Sequence, residues 1–253
     1  MSNAADSRLE LRPQQLDSMF TRAGSASTVQ SGEFLYTCGG FLDTSGTVSD
    51  RCQRYSFPDK RWWDVRAAMR HGVAMGGAAT DGKDLFVIGG SVSYTAKTRT
   101  GQSSQLAFLE VNVVQRLRMG ENTWQLQSST PRAITFVSAA YTGGVGNAAK
   151  ESIVACGSTM ARDVGHKSLC FVYDLRNDEW SELAALEPWP IPIGPRKAPI
   201  PLVCAHRLIE GAAGRRGALV LEYDFASGKW HSELGIGWTA AAAVQGFQAV
   251  CVC

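Results

Sequence analysis

A spacing that recurs along the chain constrains its fold more than any other feature of the sequence. An apolar run ending at Gly39 is followed after 16 residues by Tyr55 and after a further 7 by Trp62. The same two steps lead from Gly157 to a second pair of Tyr and Trp. Two spacings preserved together indicate that the chain is built from tandem copies of one structural unit.

Two further copies are less regular. The run that ends at Gly90 precedes Trp124 after a long insertion, and Tyr223 precedes Trp230 by the same seven residues. The four tryptophans follow one another at intervals of 62, 56 and 50 residues, near the period of about 50 residues of kelch repeats.

The chain resembles the kelch family from about Arg22 to its C-terminus. The resemblance is carried by the Gly-Gly pairs, the Tyr-Asp pairs, the tryptophans, and an arginine eight residues after the tryptophan, at Arg70 and Arg132. It implies an all-β fold, a kelch-type β-propeller of about five four-stranded blades. Residues 22–253 would form the propeller, with blades at about 22–66, 69–127, 131–184 and 196–234 and a partial one at 236–253.

The residues favour this architecture independently. Turn signals such as Asp81-Gly82, Asn177-Asp178 and Ser227-Gly228 separate apolar runs of strand length, as in hairpins. The continuous run Leu85 to Ile88 is typical of a strand that is buried on both faces. Helical periodicity is scarce.

Both ends are read as parts of one blade. Residues 238–253 resemble the first two strands of a repeat, and residues 8–16 of the N-terminal segment 1–21 resemble an outer strand. The last blade is therefore either closed by the N-terminal segment, because closure removes exposed strand edges, or incomplete. A helix over residues 5–21 is the other interpretation of the first segment.

Composition restricts the class of partner. The formal net charge is +2 and no run of Lys or Arg exceeds a pair, so we expect no nucleic acid. No apolar segment is long enough for membrane insertion, and the polar N-terminus lacks a signal-peptide pattern. These features favour an intracellular, cytoplasmic location.

Cysteine spacing bears on that location. Cys38 and Cys52 are 14 residues apart on neighbouring predicted strands, as are Cys156 and Cys170. The repetition fits either two equivalent disulfides or small buried thiols that recur with the repeat. We favour reduced thiols, because cytosolic cysteines remain reduced.

The sequence offers no set of catalytic, cofactor-binding or metal-binding residues. The four histidines fall in different repeats, and Cys204 with His206 is a single doublet without a second pair. Some kelch-like propellers are copper radical oxidases, sialic acid mutarotases or iron-dependent specifier proteins. We cannot assemble the oxidase ligand set, and the Glu-x-x-x-Asp-x-x-x-His element of the specifier proteins is absent.

A binding role has a positive argument. In a four-stranded blade the connections between the second and third strands lie on the same face as those that lead to the next blade, and here the longest connections are of the first kind, at 41–49, 91–106 and 158–168. Long loops on a rigid frame commonly bind ligands, and Arg and aromatic residues are favoured at interface hot spots. The partner-binding candidates are Arg70, His71, Tyr94, Arg99, Arg132, Arg162 and Trp189.

The resulting hypothesis is a noncatalytic protein-interaction or scaffold propeller, as a subunit of a larger assembly. Its protein partner is not identified by the sequence. The alternative is a propeller enzyme that acts on a small or sugar-like molecule in the central funnel.

Overall fold

The computed structural model describes residues 19, 23–42, 46–97, 104–142, 151–159, 167–183, 200–204, 207–214, 217–224 and 229–234. Every helix or strand within these ranges is a β-strand, which confirms the expected all-β class. Sixteen of the strands described there form four antiparallel four-stranded sheets.

We number the four sheets 1 to 4 in chain order. Sheets 1, 3 and 4 each consist of four strands that are consecutive in sequence and adjacent in the sheet, whereas sheet 2 carries an insertion. Sheet 1 contains β1 (Ser27–Ser31), β2 (Phe34–Cys38), β3 (Cys52–Ser56) and β4 (Arg61–Val65). Sheet 2 contains β5 (Gly77–Thr80), β6 (Asp84–Ile88), β9 (Val114–Arg118) and β10 (Gln125–Leu126). A separate two-stranded hairpin, β7 (Ser91–Lys97) and β8 (Ser104–Glu110), is inserted between β6 and β9.

The other two sheets have uninterrupted strand order. Sheet 3 contains β11 (Thr135–Tyr141), β12 (Ser152–Thr159), β13 (Lys167–Asp174) and β14 (Glu179–Glu182). Sheet 4 contains β15 (Ile200–Cys204), β16 (Arg207–Gly214), β17 (Gly217–Asp224) and β18 (Lys229–Leu234).

The seven-residue step between Tyr and Trp is a cross-strand pair. Tyr55 lies opposite Trp62 in sheet 1, and the equivalent pairs occupy the third and fourth strands of sheets 3 and 4. The rings of Tyr55 and Trp62 are 5.3 Å apart. In sheet 2 Leu117, seven residues before Trp124, takes the place of the tyrosine, and both side chains are buried. The repeated spacing therefore fixes the register of the two outer strands.

Successive sheets pack through their first strands, with β1 beside β5, β5 beside β11, and β11 beside β15. One apolar cluster lies between sheets 1 and 2 and includes Tyr36, Val87 and Trp124. A second lies between sheets 2 and 3 and includes Phe86 and Phe171. Sheets 2 and 3 each have a neighbouring sheet on both sides, so their central strands are buried on both faces.

A polar network reinforces the junction between sheets 2 and 3. The Tyr173 hydroxyl donates to Asp178, which also accepts the Ser128 N–H at 3.0 Å, and the Trp180 indole donates to the Ser128 carbonyl at 2.8 Å. Burial, and then the bond to Asp178, raises the pKa of the Tyr173 hydroxyl well above its ordinary value. Burial alone would raise the pKa of Asp178, but the bonds from Tyr173 and Ser128 outweigh it and lower that pKa.

The expectation of reduced thiols is wrong in this structure. Cys38 lies directly opposite Cys52, with their Cα atoms 4.0 Å apart, and the two sulfurs form a disulfide. Cys156 and Cys170 form the equivalent disulfide in sheet 3, with Cα atoms 4.1 Å apart. The antiparallel register puts each pair on facing positions, which spacing alone could not distinguish from neighbouring buried thiols. Disulfides are typical of oxidising compartments.

The predicted closing segments, residues 8–16 and 236–253, lie outside the described residues. Among the residues that are described, none belongs to a helix long and apolar enough to cross a membrane.

Candidate functional site

In sheets 1 and 2 the connection between the second and third strands starts and ends at equivalent positions, where a pair of backbone hydrogen bonds joins its two ends. In sheet 1 the Gly39 N–H donates to Arg51 and the Ser49 N–H donates to Gly40, both at 2.9 Å. In sheet 2 the Gly89 N–H donates to Val113 at 2.8 Å, and the Val111 N–H donates to Gly90 at 3.0 Å. We call each such pair of bonds a neck. The chain that leaves the neck is short in sheet 1 and forms the β7–β8 hairpin in sheet 2.

The segments that lead to the next sheet lie against these necks. The Met69 N–H donates to Asp50 at 2.8 Å, and the Gly40 N–H donates to Val73 at 2.8 Å. At the next junction the Gly90 N–H donates to Ile134 at 2.8 Å. The described residues within 39–51, 66–76, 89–113 and 127–134 therefore form one surface, which we call the connection face.

The β7–β8 hairpin is the largest feature of the connection face, and it is held at its base. Ser91 is bridged to Ala74 by reciprocal backbone bonds of 2.9 and 2.7 Å. The Ser91 hydroxyl also lies 2.9 Å from the Thr135 hydroxyl, and both side chains are buried. At the other strand the Thr159 hydroxyl lies 3.4 Å from the Glu110 carboxylate. The hairpin is thus tied to the segment before sheet 2 and to the first two strands of sheet 3.

Beyond its base, the hairpin exposes large apolar side chains. Tyr94 and Phe108 are each 48% exposed and Leu109 is 57% exposed. The Phe108 ring packs edge-on against Phe41 of sheet 1, with centroids 5.2 Å apart, and Leu42 beside it is also exposed. We call Phe41, Leu42, Tyr94, Phe108 and Leu109 the aromatic cluster. Tyr94 pairs with Ala107, so Tyr94 and Leu109 lie on one face of the hairpin and Phe108 lies on the other, toward Phe41. The cluster thus exposes apolar groups on both faces of the hairpin, and exposed apolar groups of this kind mark interaction surfaces.

Three residues that precede or begin the first strands have left-handed backbones although none is glycine. They are Ser25, Met75 and Phe136, with φ of 55°, 58° and 51°. The Met75 N–H donates to Ser25 at 2.8 Å, and Met75 accepts from Val137 at 3.1 Å. Each costs of order 1 kcal/mol to hold. Because the conformation recurs in three sheets, we attribute it to the junction between neighbouring first strands rather than to a ligand site.

The predicted site residues have different surroundings. Tyr94 is exposed on the hairpin, as a contact residue requires. Arg70 and His71 are exposed in the segment before sheet 2, where the Arg70 Nε donates to the Trp124 carbonyl at 3.2 Å. The His71 backbone exchanges two hydrogen bonds of 2.9 Å with the side chain of Gln115. Arg132 is exposed beside the other neck. Arg99, Arg162 and Trp189 lie outside the described residues.

Sequence reasoning missed most of the aromatic cluster. The connection 91–106 was expected to be an open loop, but residues 91–97 and 104–106 belong to the strands of the hairpin, so Phe108 and Leu109 lie on the projecting strand β8. The available signal was the largely apolar run from Leu106 to Leu109, whose length and aromatic residue are compatible with a strand.

No group of three or more potential metal ligands occurs in the part of the chain that the structure describes. No protein-family model matches this chain. A search of curated proteins also finds no match.

Proposed function

We propose that the chain is a kelch-type propeller of about five blades that binds a protein partner through its connection face. Its role would be noncatalytic, as an interaction or scaffold subunit, with the aromatic cluster as the principal contact. Three things support the ring: the strand order within each sheet, the side-by-side first strands, and the Tyr-Trp register.

The aromatic cluster is the observation that carries the binding role. Tyr94, Phe108 and Leu109 are large and exposed on a hairpin whose base is held by sheet 3 and by the backbone bridge to Ala74. Side chains on a held element lose little conformational freedom when a partner binds, which favours affinity. Arg132 is exposed in the segment that meets the neck of sheet 2, and Arg70 is exposed with its Nε bonded to the Trp124 carbonyl; both would supply polar contacts around such an interface.

Affinity capture with single variants tests the proposal. The protein is immobilised, and the proteins that it retains from native extract in constant proportion are quantified. Phe108→Ala and Tyr94→Ala should each lower the retained amount about fivefold, which corresponds to about 1 kcal/mol for a hot spot. The melting temperature should change little, because both side chains are half exposed.

Lys60→Ala is the matched control, since Lys60 lies in the turn between β3 and β4 at the opposite ends of the strands. If Lys60→Ala loses the partner while the hairpin variants keep it, the connection face is the wrong surface. If no protein is retained in constant proportion by the wild type, the scaffold role fails as well.

A further inference from the structure

The outer-strand tryptophans of sheets 2 and 3 make the same contact with the segment before their own sheet. The Trp124 indole donates to the Ala67 carbonyl at 3.1 Å, and the Trp180 indole donates to the Ser128 carbonyl at 2.8 Å. In both cases the acceptor lies in the chain that leads from the preceding sheet.

The position of this acceptor is constant along the repeat. Ala67 is ten residues before Gly77, and Ser128 is ten residues before Ser138. Gly77 and Ser138 are equivalent, because each is paired with the residue that precedes a glycine at the end of the second strand. Ser27, paired with Cys38, is the equivalent residue of sheet 1. Ten residues before it stands Asp17.

The face of sheet 1 that carries Trp62 is buried. The equivalent faces of sheets 2 and 3 pack against the sheet before them, through Leu117 with Trp124 and through Tyr173 with Trp180. Tyr55 is only 4% exposed and Trp62 only 6%. However, Tyr55 belongs to none of the three apolar clusters formed by the described residues. A further part of the chain must therefore cover this face.

We propose that residues 8–18 dock against the Trp62 end of this face, with the Trp62 indole donating to the backbone carbonyl of Asp17. The docked segment takes the place that the chain before Gly77 holds against Trp124. Sheet 1 is then bounded on both sides, as sheets 2 and 3 are. This inference rests on the repeating architecture of the proposed propeller and not on its binding role.

Photo-crosslinking in the full chain tests the contact directly. Benzoylphenylalanine placed at position 62 abstracts hydrogen only from groups in contact with it. Trypsin leaves the Arg12-Pro13 bond intact, so the expected product contains the peptide Leu9–Arg22. Benzoylphenylalanine at position 63 is the control, because Trp63 is 37% exposed and points to the other face. Cross-links from position 62 only to other peptides would overturn the proposal.

A truncation gives a second, independent reading. Removal of residues 1–18 should increase acrylamide quenching of the Trp62 fluorescence at least twofold, measured as the difference from the same protein with Trp62→Phe. Removal of residues 1–7 should leave quenching unchanged, because the docking segment stays intact. Added peptide 8–18 should reverse the effect of the longer truncation. Equal quenching in both truncated proteins would contradict the docking, and if the longer truncation does not fold, the cross-linking result decides. Neither measurement involves a protein partner, so failure of the binding role leaves both unaffected.

Discussion

The backbone N–H of Gly40 donates to the carbonyl oxygen of Val73 at 2.8 Å, across the junction between sheets 1 and 2. Gly39 approaches the same carbonyl so closely that a Cβ at Gly39 would overlap the oxygen. The φ of Gly39 is +70°, in the region that glycine alone adopts at little cost. The Gly-Gly pair is therefore required twice, for its backbone conformation and for the approach of the next sheet.

Gly39→Ala should consequently lower the free energy of unfolding by about 3 kcal/mol, because the left-handed backbone and the overlap both oppose the new methyl group. Gly82→Ala is the matched control. Gly82 has a φ of +86° but nothing within 4 Å of a new Cβ, so only the conformational cost of about 1 kcal/mol applies. Urea unfolding compares the two, and equal losses would show that the close approach to Val73 has no energetic weight.

Asp84, at the end of a central strand of sheet 2, interacts with two arginines of the neighbouring strand. It is 5% exposed, it accepts from Arg118 at 2.6 and 3.3 Å, and it lies 3.8 Å from the Nε of Arg116. Asp84→Asn should cost about 2 kcal/mol, because it leaves the arginines without their buried counter-charge. Asp50→Asn, which breaks only the exposed 3.8 Å pair with Arg51, should cost less than about 0.5 kcal/mol. A loss of the same size for both variants in chemical denaturation would refute the distinction.

The Tyr173–Asp178 bond predicts how stability depends on acid pH. The pKa of Asp178 is below its ordinary 3.8 in the folded chain, so Asp178 stabilises the fold above that pH and loses its contribution as the pH falls through the folded pKa. Tyr173→Phe removes a donor that lowers this pKa. It should reduce stability by about 1 kcal/mol at pH 7 and by less at pH 3. Denaturant titrations at the two pH values measure the difference, and an equal effect at both would contradict the linkage.

The raised pKa of Tyr173 predicts that the free energy of unfolding falls at alkaline pH. Because the pKa of Tyr173 is raised in the folded chain, the unfolded chain releases this proton first, near the ordinary value of 10.0. Stability should fall as the pH rises above about 10 and continue to fall until the folded pKa is passed. The fall should be smaller for Tyr173→Phe, measured from melting curves between pH 9 and 11. A steeper fall in this variant than in the wild type would reverse the assigned sign.

The two disulfides predict which cysteines react with maleimide before and after reduction. Unfolding without reductant should leave Cys38, Cys52, Cys156 and Cys170 protected from maleimide, and reduction should make these four thiols reactive, as peptide mapping of the label can show. Seven reactive thiols without reductant would instead restore the expectation of a reducing compartment.

Sheet 2 offers a variant that removes one disulfide and keeps the packing. Ile88 faces Val114 where sheet 1 has Cys38 facing Cys52. The double change Cys38→Ile with Cys52→Val should therefore fold, at a cost near the roughly 3 kcal/mol of a cross-link that closes a loop of this length. Cys38→Ser with Cys52→Ser should cost more, because it buries hydroxyl groups in an apolar cluster. Denaturant titration of both variants without reductant measures the difference, and equal costs would refute the role of packing at this position.

The pairing of the two outer strands could be predicted from sequence because the seven-residue spacing between Tyr and Trp determines their register. Tyr55 and Trp62 are joined by a tight turn, so seven residues suffice to make them partners. The hairpin could not be predicted, since residues 91–106 are rich in Ser and Thr and its pairing depends on its base at Ser91 and Ala74. The left-handed backbone conformations of Met75 and Phe136 could not be predicted either, because packing against the neighbouring strand imposes them on residues that are not glycine.

The aromatic cluster shows the same division. Tyr94 was predicted because an aromatic residue in a long connection is a local feature. Phe108 was not, because its exposure and its contact with Phe41 depend on how far the hairpin extends and on which sheet it leans toward. Whether Cys38 and Cys52 are oxidised also exceeded what spacing can indicate, since facing positions serve a thiol pair and a disulfide equally.

The paired backbone bonds at the necks separate the four-stranded sheets from the connections that project from them. Equivalent bonds join the two ends of both connections. Eight residues, 41–48, lie between Gly40 and Ser49 in sheet 1, and twenty residues, 91–110, lie between Gly90 and Val111 in sheet 2. Length and composition beyond a neck can thus change without altering the register of the sheet behind it. Segment 91–110 should therefore be replaceable, or able to be grafted between Gly40 and Ser49 of sheet 1, without a change in the register of either sheet.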